Sequence, residues 1–158
     1  MTQPHIHQIS ISPGGVPKLP VESVEITVNG LIGDHQNDQK HHGGPERAVC
    51  LYALEVIESL RAEGHPIYPG STGENITTTG LDWEKLQIGQ RIRLGETVIL
   101  EITDFTSPCK TIRHSFSDEK FIRISQKLHP GQSRVYAKVL CPGMVKIGDE
   151  IEIKAATA

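Results

Sequence analysis

Ile88-Gly89-Gln90-Arg91-Ile92-Arg93-Leu94-Gly95-Glu96-Thr97-Val98-Ile99-Leu100-Glu101-Ile102-Thr103 reads as two β-type runs around a glycine turn. Residues 88–94 and 97–103 flank Gly95-Glu96, a two-residue connection whose first position suits glycine, as in a tight antiparallel hairpin. Side chains alternate along a strand, so Ile92 and Leu94 share one face and Val98, Leu100 and Ile102 share the matching face of the partner. The second strand runs into Phe105-Thr106-Ser107-Pro108-Cys109-Lys110-Thr111-Ile112-Arg113-His114. Pro108 cannot donate to a sheet ladder and pushes Ser107 toward extended geometry, so Cys109 is expected in a loop at a strand end. A thiolate is the nucleophile and metal ligand, and cations such as Lys110, Arg113 and protonated His114 favour that form. On these ten residues alone, a half-buried cysteine among solvated cations is the commoner outcome. The rest of the chain must decide.

The corner that opens the hairpin occurs twice. Leu86-Gln87-Ile88-Gly89-Gln90-Arg91-Ile92 and Val145-Lys146-Ile147-Gly148-Asp149-Glu150-Ile151 share an apolar residue, a glycine, a polar residue and a strand. They suggest two equivalent corners of one barrel. Residues 6–12 and 23–29 read as a further hairpin or neighbouring strand pair across the turn-rich segment 13–17, and residues 134–140 and 144–153 as strands. The apolar run 48–52 leads into an amphipathic helix with Ala53, Val56, Ile57 and Leu60 on its core face, stopped at Gly64. Asp82 reads as the cap of a single turn near 82–87, stapled by Leu81 and Leu86. A second helix is expected over 118–128, with Asp118 and Glu119 in its first turn and Phe121, Ile124, Ser125 and Leu128 along one face. The predicted fold is mainly β: a closed or nearly closed β-barrel with two amphipathic helices and short helical turns.

The chain has 158 residues, the size of one domain, so residues 1–158 are read as a single unit. Its formal charge of -3 provides no basic excess for nucleic acid. No apolar run approaches the length of a membrane helix and the first residues lack the regions of a signal peptide, so a cytoplasmic location is expected. Three cysteines without a Cys-x-x-Cys pair argue against a disulfide framework and a thiolate zinc knuckle. Cys50, inside an apolar run, is expected to be buried and inert, and Cys141, before a turn, structural.

Residues 30–45 are almost devoid of apolar side chains after Ile32 and are expected to form a long surface loop. One reading is a metal site from His35, His41 and His42 with Asp34 or Asp38, the basis of a zinc hydrolase. It is the weakest, because adjacent His41 and His42 diverge in extended backbone and the spacing fits no helical zinc motif. The preferred reading is an anion loop, in which Gly43 and Gly44 turn backbone amides toward an oxyanion while His42 or Arg47 adds charge. A solvated loop without a task is the third. Gly73-Glu74-Asn75 enters an extended stretch, where Glu74 and Asn75 either line a pocket or satisfy loop amides. Arg123 and Arg134 are either solvated or able to reach an anionic ligand.

Taken in order, Gly33-Asp34, His42-Gly43-Gly44-Pro45 with Arg47-Ala48-Val49, Gly73-Glu74-Asn75-Ile76-Thr77 with Gly80-Leu81, Ile88-Gly89 and Ser107-Pro108-Cys109 resemble the MOSC family. That family takes its name from the C-terminal domain of molybdenum cofactor sulfurases. The resemblance runs from about residue 9 to residue 153. It implies a β-barrel whose cysteine, here Cys109, either ligates the molybdenum of a bound molybdopterin or carries sulfur as a persulfide. It implies that the segments of Gly43, Gly44, Glu74 and Asn75 lie near that thiol, with Arg47, Lys110 and Arg113 helping to hold anionic groups and His42 or Asp34 assisting proton delivery. Relatives resembling this chain include reductases of N-hydroxylated compounds, so the leading expectation is a molybdenum cofactor-dependent reductase acting on a small-molecule substrate. The alternative is a sulfur carrier or cofactor-delivery module. No pyridoxal phosphate-dependent desulfurase domain or iron-sulfur domain is recognised, so a reductase of this kind would take electrons from a separate protein. Neither a nucleic-acid nor a membrane partner is expected, and a homodimer is allowed.

Overall fold

The computed structural model describes residues 3–35 and 44–154. Eleven strands form among them: β1 His5–Ile11, β2 Leu19–Val21, β3 Ser23–Thr27, β4 Gly30–Leu31, β5 Val49–Ala53, β6 Ile76–Thr79, β7 Arg91–Leu94, β8 Val98–Phe105, β9 Val135–Cys141, β10 Gly143–Lys146 and β11 Ile151–Lys154. Eight make one mixed sheet in the order β11-β7-β8-β9-β5-β6-β1-β2, and β10-β3-β4 make a small second sheet. β5 and β6 run parallel, which requires a crossover between them. Helix α1, Leu54–Ala62, begins that crossover and buries Val56, Ile57 and Leu60, the predicted face. Gly64 follows the helix with φ +101°, a left-handed stop that glycine adopts without a Cβ clash.

The hairpin forms as its alternation requires. Ile92, Leu94, Val98 and Leu100 are fully buried and Ile102 nearly so. Leu94 pairs with Val98, so the connection is Gly95, Glu96 and Thr97, one residue longer than expected, and Gly95 takes φ +64°. The two corners are equivalent in detail. Gly89 and Gly148 have φ +93° and +90°, Ile88 and Ile147 are exposed, and the two glycine amides donate to Ile102 O and Ile6 O at 2.8 and 2.9 Å. The strands that follow, β7 and β11, pair with each other. Further bonds from Ile6 N–H to Asp149 O (2.9 Å) and from Ile151 N–H to Pro4 O (2.8 Å) tie the start of β1 to the approach to β11.

Two expectations are corrected. β3 does not pair with β1; β1 pairs with β2 and β6, and β3 joins β10 and β4. The apolar face of β3 serves either partner equally, so alternation alone does not choose between them. No α-helix spans 118–128: the chain forms short 3₁₀ turns at Lys110–Ser115, Ser117–Glu119 and Phe121–Ile124. Asp118 and Glu119 are left-handed at φ +53° and +57°, and Leu128 is exposed. A spacing of three residues between Phe121 and Ile124 fits a 3₁₀ turn as well as an α-helix. Tertiary bonds take hold of the start: Ser117 N–H donates to His65 Nδ1 (3.0 Å) and Ser117 Oγ to Gly64 O (2.8 Å). The turn near 82–87 is 3₁₀ at Trp83–Lys85, and Asp82 makes no capping bond.

Candidate functional site

Cys109 lies four residues beyond the end of β8, where the sheet ladder has stopped. Its backbone is extended (φ -140°, ψ 171°), and the turn Lys110–Ser115 begins immediately after it. The thiol is partly exposed and donates to Thr111 Oγ1 at 3.2 Å. Lys110 and His114 are exposed. Arg113 is engaged locally, donating from Nη1 to Lys110 O (2.8 Å) and standing 3.3 Å from Glu119.

On the adjoining strand β9, the Tyr136 ring carries the Arg47 guanidinium 5.6 Å from its centroid. The 3₁₀ turn Pro45–Arg47, which follows Gly44 at φ +88°, delivers that arginine. Burial, and next the nearby Cys50 thiol, push the Tyr136 phenol up, and Cys109 acts on it in the same direction. Tyr136 stands opposite Cys50 across the β5–β9 ladder. Sequence reasoning missed it, although its alternation with Arg134 at the start of a strand places the two on one face.

Behind this surface lies a buried polar layer. Asp34 accepts from Ser12 N–H (2.9 Å), Lys18 Nζ (2.8 Å) and Asn75 Nδ2 (3.0 Å). Lys18 and Asp34 form an ion pair with side chains only 2% and 6% exposed. Asn75 is fully buried; its Oδ1 accepts from Cys50 N–H (3.0 Å) and its Nδ2 also reaches Ser10 O (3.3 Å). Glu74, likewise fully buried, accepts from Gly70 N–H (2.8 Å) and Thr72 Oγ1 (3.2 Å). Gly70 must be glycine, because a Cβ there would meet Lys18 O at 2.5 Å. Burial pushes the Glu74 carboxyl up, while Arg134 and these hydrogen bonds oppose the shift. Cys50 sits among them with its thiol pushed up by burial, as its apolar surroundings in sequence suggested.

The expected placements are thereby sorted. Cys109, Lys110 and Arg47 stand at or near one surface. Asp34, Glu74 and Asn75 are saturated inside the fold, so the geometry gives them a holding task rather than a lining one. Lys18 joins them unannounced; its only sequence signal is a lone cation in an extended stretch beside prolines and Leu19. His42 and Gly43 lie outside the described residues, as does His41. His35 is exposed, and the described residues contain no group of three or more His, Cys, Asp or Glu able to hold a metal ion. Among the described residues no helix is long and apolar enough to cross a membrane.

A mainly β protein with a partly exposed thiol just past a sheet strand, backed by a buried charge layer, is the class these features define. Residues 38–152 match the MOSC domain, and the chain belongs to the MOSC domain family. It is 31% identical over 141 residues to an uncharacterized protein, YflK, of Bacillus subtilis, covering 88% of this chain and 62% of that one. Protein YiiM of Escherichia coli is 28% identical over 146 residues, 89% of this chain and 64% of that protein. The chain thus spans less than two thirds of the length of these two relatives. A protein named reductase from Gibberella moniliformis is 30% identical over 131 residues, 80% of this chain but 23% of its own length. The crystal structure of the Escherichia coli YiiM superposes with a TM-score of 0.74 at 23% identity, covering all of this chain and 72% of that one. That of the YUAD protein from Bacillus subtilis does so at 0.78 and 18% identity, covering 99% and 98%. At these identities the two structures speak for the fold.

Proposed function

We propose that this chain binds a molybdenum cofactor and acts as a reductase of N-hydroxylated or related small compounds, with Cys109 as the molybdenum ligand. The observation that carries the reading is the placement of Cys109, partly exposed on an extended segment just past β8, in a chain of the MOSC family. The reductase named among its relatives supports the reaction class. The residues fit such a group. A thiolate is a soft donor suited to molybdenum, and Arg47 and Lys110 offer cationic donors for anionic groups. The eight-stranded sheet is read as a barrel whose seam is the Pro4 and Ile6 contact with residues 148–151.

When bound, the cofactor would supply two-electron chemistry at the metal, and a separate donor protein would renew the electrons. The chain supplies the anchor and its support. Cys109 holds the metal, Tyr136 and the Arg47 guanidinium stacked over it wall the neighbouring surface, and Asp34, Asn75 and Glu74 fix the loops behind. Removing oxygen from an N-hydroxyl group also consumes protons. His42 or Asp34 is assigned that delivery, Asp34 being tied to Lys18.

Protein made in a host that produces the cofactor is expected to carry molybdenum near stoichiometry by elemental analysis, and Cys109→Ser to lose it together with reductase activity. A folded wild-type preparation without molybdenum, or a fully loaded Cys109→Ser variant, would overturn the reading. The sulfur-carrier alternative draws on the partly exposed placement of the Cys109 thiol in a chain of this family. A sulfur atom on Cys109 that a reductant removes, seen by mass spectrometry of metal-free protein, would favour it.

A further inference from the structure

Arg134, the residue before β9, is only 4% exposed. Its Nη1 donates to Thr72 O at 2.6 Å. Among the described residues its buried Nε and Nη2 have no hydrogen-bond partner, and no carboxylate lies within ion-pair distance of it. These two N–H groups form one edge of the guanidinium plane, the edge that grips carboxylates and phosphates through paired hydrogen bonds. The chain shows the same edge in use elsewhere. Arg123 donates from Nε and Nη2 to the two carboxylate oxygens of Glu63 at 3.0 and 2.7 Å.

Glu74 acts on the charge of Arg134 from beyond ion-pair distance, but buried N–H groups left without an acceptor are costly, and natural proteins give them a partner or a ligand. The internal candidates are already committed. Asp34 is engaged with Lys18, and Glu74 takes its bonds from Gly70 and Thr72. The surroundings are polar as well as buried: Thr72, Thr106 and Ser133 are 0%, 1% and 1% exposed. Among the described residues the Thr106 hydroxyl makes one long contact, 3.9 Å, with Cys50 Sγ. A carboxylate would use the edge alone, whereas a tetrahedral oxyanion has further oxygens for a neighbouring hydroxyl. The turn Lys110–Ser115 meets the segment before Thr72 through a bond of 3.4 Å from Ser115 Oγ to Ser71 O.

We propose that the Nε and Nη2 edge of Arg134 is a buried oxyanion site for a phosphate group, free or on a small organic phosphate, reached when the turns covering it move aside. The site stands on this chain's own residues and is independent of the molybdenum reading.

Trp83 supplies a reporter. It is the only tryptophan, and its indole donates to Ser133 O, next to Arg134, at 2.8 Å. Cofactor-free protein is titrated with inorganic phosphate and, separately, with glycerol 3-phosphate, following Trp83 fluorescence and heat. Saturable binding of either at one site per chain is expected, and the tighter of the two identifies the source. Arg134→Gln should weaken it about tenfold to a hundredfold, as loss of a charged paired contact does, while Arg61→Gln on the exposed side of α1 leaves it unchanged. Should Arg134→Gln fail to fold, wild-type crystals soaked in selenate decide: anomalous density within hydrogen-bond distance of Nε and Nη2 supports the site. No saturable binding, binding unaffected by Arg134→Gln, or selenate held only elsewhere overturns it.

Discussion

Cys50, opposite Tyr136 in the sheet, and Cys109, past the end of β8, occupy opposite environments. Cys109 stands past the end of a strand, partly exposed, in a segment built of turns. Cys50 lies inside β5, 4% exposed, with its backbone N–H held by Asn75 and its thiol pushed up by burial. What separates them is the ladder. Inside the sheet, the backbone is committed and the side chain is sealed under a second layer; four residues beyond it, nothing covers the sulfur completely. Chemistry at a thiol needs access, which Cys109 has and Cys50 lacks.

The largest expected effect tests that contrast directly. Native protein treated with an alkylating reagent should modify Cys109 at least about a thousandfold faster than Cys50, because a sealed thiol reacts only when the structure opens. Peptide mass mapping over time measures both rates. Comparable rates would mean that the layer over Cys50 opens freely, and the division between the two cysteines would fail.

A smaller effect tests what seals Cys50. Lys18→Met removes one partner of the buried Lys18–Asp34 pair and leaves the Asp34 carboxylate, which also accepts from Ser12 and Asn75, without that cation. Breaking a buried pair in this way costs about 3–5 kcal/mol. Urea unfolding should show that loss, accompanied by faster labelling of Cys50 and little change at Cys109. A change below about 1 kcal/mol, the range of surface pairs, would show that the pair is not the seal.

Much of this contrast is legible in the residues, but unevenly. Alternation in residues 88–103 fixes the hairpin faces, and Ile88-Gly89 and Ile147-Gly148 announce two corners that behave alike, because turn and strand signals are local. The apolar flanks of Cys50 likewise foretell its burial. The missing helix over 118–128 shows the limit: Phe121 and Ile124 fit two helical periods, and bonds from Ser117 to His65 and Gly64, more than fifty positions away, choose between them. Asp34 and Asn75 were visible as motif members, but not the Asp34 carboxylate's joint hold on Lys18 and Asn75, which spans segments distant in sequence. For the same reason Glu74 reads equally well as pocket lining or scaffold until its burial is known.

The smallest effect concerns that residue and the pH at which the Cys50 side is tightest. The folded Glu74 carboxyl titrates above its ordinary value because burial disfavours its charge. Between the unfolded value, about 4.3, and the raised folded value, the folded chain keeps a proton that the unfolded chain has released. Stability therefore falls as pH rises through that window, and it is greatest below it as far as this group is concerned. Glu74→Gln cannot titrate. Its unfolding free energy, measured by urea titration from pH 4 to 8, should lose this component of the slope while keeping the rest. An unchanged slope would mean that Glu74 is ionised in the fold across the whole range, with Arg134 compensating its charge; the carboxylate would then belong to the permanent charge layer behind Cys50.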